Sequence, residues 1–169
     1  MNIVLPSDFS PQERSERAMG LFRQGYNCCQ AVVLSFRDIL ETNNLANGDV
    51  LSAICSGFGG GMARMREVCG SFSGAVMMAG FISPAADPEI KTERTANYAL
   101  VQDMAEEFRQ RNGGSIVCRE LLGLSPMQKE GPAPSERTPE FYRKRPCGQI
   151  IGNAAFIVAE RMIQFNKPE

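Results

Sequence analysis

Residues 54–83 read ICSGFGGGMARMREVCGSFSGAVMMAGFIS. Gly57, Gly59, Gly60 and Gly61 interrupt whatever helix precedes them, because glycine loses more conformational entropy on ordering than other residues and admits positive φ. Beyond Glu67 the chain resumes as an apolar helix headed by Cys69, with Gly70 and Gly74 four apart and Ala75 and Ala79 likewise. Positions four apart share a helix face. One side of this helix is therefore nearly bare, and another helix can approach it closely. The GxxxG spacing would point to a membrane dimer only within a long apolar span, which this stretch is not. The glycine run lacks a following Gly-Lys-Ser/Thr and is no phosphate loop; its functional reading is close backbone approach to a cofactor.

Helices extend on both sides of this stretch. After an irregular lead over 1–9, Ser10-Pro11-Gln12-Glu13 combines an N-cap serine, proline at the first helical position and glutamate at the third. It predicts a helix over 11–24, stopped by Gly25. Asn27 caps the next, with Cys28 and Cys29 in its first turn and apolar residues from Ala31 to Leu40 on more than one stripe, so a central helix should run to about Asn43. A short helix over 49–56 carries Cys55, on an apolar face that suits a core position. The longest helix should span about 88–112, with Tyr98, Ala99, Val101, Met104, Ala105 and Phe108 inward. A short helix follows at Cys118 and ends at Gly123. Residues 125–145, with Pro126, Pro132, Pro134, Pro139 and alternating charges, read as a surface loop suited to a lid. Pro146-Cys147 then opens the last helix, to about Phe165. No strand or repeat emerges. The reading is all-α, a single-domain bundle-like array of about five main helices plus short helices.

The 169 residues are enough for one core, and the 43% hydrophobic and 22% charged fractions are ordinary for a globular protein. A net charge of -1 offers no broad basic face, so neither nucleic acid nor an anionic membrane is expected as a partner. The start, MNIVLPSDFS, lacks the pattern of a signal peptide, and no stretch nears the ~20 apolar residues of a spanning helix. The expectation is a cytoplasmic protein. In a reducing cytosol, six cysteines are better explained as metal ligands or working thiols than as structural disulfides. The absence of histidine excludes Ser-His and Cys-His pairs, histidine-ligated haem and mixed Cys/His zinc sites within this chain.

The cysteines are spread along the chain, but several fall at predicted helix starts: Cys28 or its neighbour Cys29, Cys118 and Cys147, with Cys69 heading the glycine-rich helix. Unpaired N–H groups and the helix dipole there favour an anion. A free thiol with pKa ~8.5 is only a few per cent ionised at pH 7, so a lowered pKa would matter. Arg64 and Arg66 before Cys69, Arg119 after Cys118, and Arg143, Lys144 and Arg145 before Cys147 would push the same way. Cys28 and Cys29 would point about 100° apart on a helix, so only one can face a given centre. Missing CxxC pairs argue against zinc ribbons, thioredoxin-like redox and bacterial ferredoxin spacing.

The segments Tyr26-Asn27-Cys28-Cys29-Gln30-Ala31-Val32, Ser56 to Gly61, Glu67 to Gly74, Cys118 to Gly123 and Cys147 before an apolar helix together resemble a known family. It is the family of redox-active bacterial proteins named for its pattern C, GCAxxG, C, C, which is similar to the helical domain of split-Soret cytochrome c. The resemblance covers about residues 10–165 and lays the family's four cysteines on Cys28, Cys69, Cys118 and Cys147, leaving Cys29 and Cys55 as extras. Ser71 stands where members usually have alanine. The resemblance implies an α-helical fold, electron transfer and an iron–sulfur cluster; without CxxCH or histidine, no haem carries over. The expected site is thus Cys28, Cys69, Cys118 and Cys147, acting as redox thiols or as ligands of a two-iron, two-sulfur cluster. Gly57, Gly59, Gly60, Gly61 and Gly70 would approach that cofactor, the Gly57 to Gly61 backbone donating N–H groups to its sulfurs. The alternatives are metal-free thiol/disulfide exchange, which would make the protein an oxidoreductase, and a zinc-stabilised binding module on the same four ligands. A redox partner is implied but not named, and a homodimer is compatible with this reading.

Overall fold

The computed structural model describes residues 3–125 and 130–166, which leaves residues 1–2 of the expected lead and 126–129 of the expected loop outside it. The described residues form helices α1 (Pro11–Arg23), α2 (Cys28–Leu34), α3 (Arg37–Thr42), α4 (Gly48–Ile54), α5 (Gly70–Ile82), α6 (Lys91–Arg111), α7 (Cys118–Leu121), α8 (Pro139–Lys144) and α9 (Cys147–Phe165). A single 3-10 turn at Ser56–Phe58 follows α4, and no strand occurs among the described residues. The fold is all-α.

The sequence signals at the helix ends act as expected. Ser10 accepts the Glu13 N–H at 3.0 Å to start α1. Asn27 accepts the N–H groups of Cys29 and Gln30, and Gln30 reaches back to the Asn27 N–H, which makes a full capping box on α2. Gly123, at φ +63°, closes the chain after α7.

The core is built on α2, α5 and α9, which pack on one another, with α1 along α9 and α6 across α5 and α9. Val32, Val33, Phe36, Leu40, Met78, Met104, Phe108, Ile151, Ile157, Val158 and Met162 are its largest sealed side chains. Close approach is bought with glycine at two contacts. A Cβ on Gly152 of α9 would stand 2.7 Å from Ser15 Oγ of α1. On α5, a Cβ on Gly74 would stand 3.0 Å from the Cys29 carbonyl oxygen, and one on Gly70 only 2.6 Å from both Cys28 Sγ and the Phe58 carbonyl oxygen. The bare face of α5 thus receives α2.

Three expectations are corrected. The second helix does not run through to Asn43: Ser35 and Phe36 bond to Val32 and Val33 three residues back, and the chain restarts as α3. The cause is Arg14, 3% exposed, whose guanidinium takes the Ser35 carbonyl at 2.8 Å and the Asp38 carboxylate at 2.6 and 2.9 Å. In α6 it is Leu100, with Met104, Ala105 and Phe108, that faces the core, while Tyr98 and Ala99 are exposed. The segment 125–145 is not wholly irregular, since Thr138 accepts the Phe141 N–H and caps α8.

Alanine normally exceeds glycine in a helix by ~1 kcal/mol. Gly70→Ala is expected to reverse that sign and cost about 1–3 kcal/mol, because its methyl group would meet main-chain atoms that cannot swing aside. Urea unfolding under reducing conditions checks this; a stabilised variant would show that α2 and α5 are not held this closely.

Candidate functional site

Cys28, Cys118 and Cys147 are the first residues of α2, α7 and α9, and Cys69 is the N-cap of α5. All four line one cavity of about 390 Å³. Cys69 and Cys118 are buried, and Cys28 and Cys147 half-buried. Cys29 turns away from this cavity into the core, and Cys55 is buried there too. The neighbouring pair is therefore divided by helix geometry, with Cys28 on the cavity.

The main chain places two of the sulfurs directly. Val68 and Val117 form an isolated antiparallel bridge. Around it Cys69 N–H donates to the Ile116 carbonyl at 2.8 Å, Cys118 N–H to the Glu67 carbonyl at 2.6 Å and Arg119 N–H to the Arg66 carbonyl at 3.2 Å. The approach to this bridge is a left-handed run: Gly60, Gly61, Met62, Ala63 and Arg64 all have φ between +46° and +69°, and Arg66 has φ +63°. Non-glycine residues adopt this conformation at a cost of ~1–2 kcal/mol each. The surrounding hydrogen bonds, such as Arg66 N–H to the Gly60 carbonyl and Glu67 N–H to the Gly61 carbonyl, hold it in place.

The glycines serve the protein's own side chains. The space left by Gly59 is filled by Asn27, that of Gly61 by Cys118 Cβ at 2.6 Å, and that of Gly70 by the Cys28 sulfur. Gly59 and Gly60 line the cavity; Gly57, Gly61 and Gly70 are not among its lining residues.

Of the cations expected beside the thiols, two act on them. Arg66, 4% exposed, places an Nη 3.8 Å from Cys118 Sγ, and the charges of Arg66 and Arg145 ease ionisation of Cys118 and Cys147. Arg119 pairs with Glu67 at 3.0 Å and Lys144 with Glu140 at 2.6 Å, while Arg143 is exposed. Arg64 and Arg66 both grip Glu130, Arg64 at 2.5 Å, and Arg64 also donates to the Gly131 carbonyl at 2.8 Å. The Arg66 guanidinium holds the Glu130 carboxyl below its usual range. Glu130 thereby fastens the loop whose Pro132, Pro134, Ser135 and Arg137 line the cavity together with Phe141 of α8. These residues thus border the thiols. Nothing in the loop's sequence singled out Glu130, because its partners lie more than sixty residues away.

The expected thiolates are corrected. Burial is the leading influence on three of the thiols and pushes each up: Cys69 to about 12, Cys147 to about 11, and Cys118 in the same direction. Negative charge at Cys28 would raise all three further. Against this, the Ser71 N–H and hydroxyl ease Cys69. Ser71 itself is 1% exposed and on the cavity wall, and its buried hydroxyl has no hydrogen-bond partner among the described residues. The dipole argument failed because desolvation of a buried thiolate outweighs a helix start.

An iron–sulfur cluster or a zinc ion needs several sulfurs about one point. Among the described residues no three cysteine, aspartate or glutamate side chains form a group that could hold a metal ion.

A helical array that brings four scattered cysteines to helix starts around one cavity defines an all-α protein with a shared thiol site. Residues 26–161 match the family described as "Putative redox-active protein (C_GCAxxG_C_C)", and the chain belongs to that family. No curated protein and no solved structure matches it significantly. No helix among the described residues is long and apolar enough to cross a membrane.

Thiols whose pKa is raised on folding bind protons more tightly in the native state than in the unfolded one. Their contribution is complete below the unfolded pKa and is lost as pH rises through the folded values. The reduced protein should therefore lose stability between pH ~8.5 and the elevated values of Cys147 and Cys69, about 11 and about 12. Cys69→Ser should flatten that slope. Urea midpoints across this range measure it, and a slope the same in both chains would contradict the burial argument.

Proposed function

We propose that the chain is a thiol oxidoreductase that cycles between dithiol and disulfide within the cavity. The observation that carries this reading is that Cys28, Cys69, Cys118 and Cys147 line one cavity together with Arg66 and Arg145. Cys28 is the attacking thiol: it is half-buried on the cavity and opens α2. Cys69 is the resolving thiol, because the Cys28 sulfur lodges against Gly70, the next residue along.

The reaction follows from ordinary thiol exchange. The Cys28 thiolate attacks one sulfur of a substrate disulfide, forming a mixed disulfide and releasing the other substrate sulfur, which takes up a proton. Cys69 loses its proton and attacks the Cys28 sulfur, so the second substrate thiol departs. The substrate disulfide is reduced by two electrons, and the protein gains a Cys28–Cys69 disulfide. High pKa values at Cys69 and Cys147 keep these thiols protonated, and so unreactive, until a substrate has engaged Cys28.

The electron-transfer form with an iron–sulfur cluster is the rival, and it would require the four sulfurs to draw together. One preparation decides between them. Protein purified anaerobically is analysed for iron and sulfide, then treated with oxidised glutathione and mapped by mass spectrometry. The proposal expects metal-free protein that acquires a Cys28–Cys69 bridge. Cys69→Ser should arrest as a glutathione adduct on Cys28, and Cys28→Ser should form neither. Stoichiometric iron and sulfide, or four thiols left free, would refute the exchange reading.

A further inference from the structure

Away from the cavity, three sulfurs from three helices meet in the core. Cys29 of α2 and Cys55, the C-cap of α4, are both wholly buried, and each Sγ lies 3.7 Å from Met77 Sδ of α5. Met77 Sδ is thus the shared neighbour of the two thiols, and each thiol influences the ionisation of the other. Met77 is half-buried. Neither Cys29 nor Cys55 lines the cavity of the four-cysteine site.

We propose that Cys29, Cys55 and Met77 form a three-coordinate sulfur site for Cu(I). Two thiolates and a thioether are a soft donor set; the thioether adds little for zinc or for hard ions but suits Cu(I). The spacing fits as well. Three sulfurs ~2.3 Å from a common centre, a usual metal–thiolate length, stand about 4 Å apart. The two edges at 3.7 Å need open only slightly. Binding forms two Cu–thiolate bonds in place of two S–H bonds and releases two protons, while Met77 donates a lone pair. No electron changes hands.

The protons link affinity to pH. Ligating thiols must be deprotonated, so affinity rises with pH. The site stands independently of the exchange reaction above, because it uses none of the same sulfurs.

The test is an anaerobic Cu(I) titration of the reduced full-length chain against a chromogenic Cu(I) chelator, run in parallel on Met77→Leu and Cys55→Ala. The cavity cysteines are common to all three chains, so differences report this site. The intact chain should hold one equivalent that Cys55→Ala lacks. Met77→Leu, which conserves volume, should hold that equivalent at least about tenfold more weakly, since even outer-shell partners are worth that much. X-ray absorption of the one-equivalent complex should show sulfur ligands only. The proposal is overturned if the intact chain binds no Cu(I), or if Met77→Leu binds with unchanged stoichiometry and affinity. The second criterion holds even where Cys55→Ala fails to fold.

Discussion

The missing side chain at Gly70 is the constraint on which the site depends. It lets the start of α5 come so near the start of α2 that the Cys28 sulfur occupies the space a Cβ would need. Gly74, one turn on, keeps the two helices together by accommodating the Cys29 carbonyl and Val32. With that contact fixed, the Cys28 sulfur lies against the start of α5, and Cys29, about 100° further round α2, is committed to the core. α9 packs on the same pair of helices and brings Cys147 to the shared end.

The fold sets two influences on its thiols against each other. Helix starts and the Arg66 and Arg145 charges favour anions, whereas burial in an apolar core disfavours them, and at Cys69, Cys118 and Cys147 burial wins. Arg66 cannot settle the matter alone, because its guanidinium is shared with Glu130. The same cation that faces a thiol therefore also ties down the loop beside it. One side chain thus links a cavity thiol to the loop that borders it.

Much of this was legible in the chain itself. Ser10, Asn27 and Gly123 act locally, so they marked helix ends correctly, and the spacing of Gly70 and Gly74 announced a close helix contact before its partner was known. The four cysteines could be grouped because each stands at a helix start, a local property that sequence reports well. What could not be read depends on distant partners. Ser35 looks like ordinary helix interior until Arg14 takes its carbonyl. Glu130 looks like one more charge in a polar loop until two arginines from the glycine-rich turn close on it. Met77 reads as core filler, and only packing sets it against Cys29 and Cys55. The ionisation of the thiols was misjudged for the same reason, since burial is a property of the whole fold.

The short antiparallel bridge between Val68 and Val117 yokes two thiol positions to each other. Cys69 and Cys118 are fixed through their own main-chain N–H groups, bonded to carbonyls on opposite arms of the bridge. A substitution that displaces either arm would therefore carry both sulfurs with it, although they stand far apart in the chain.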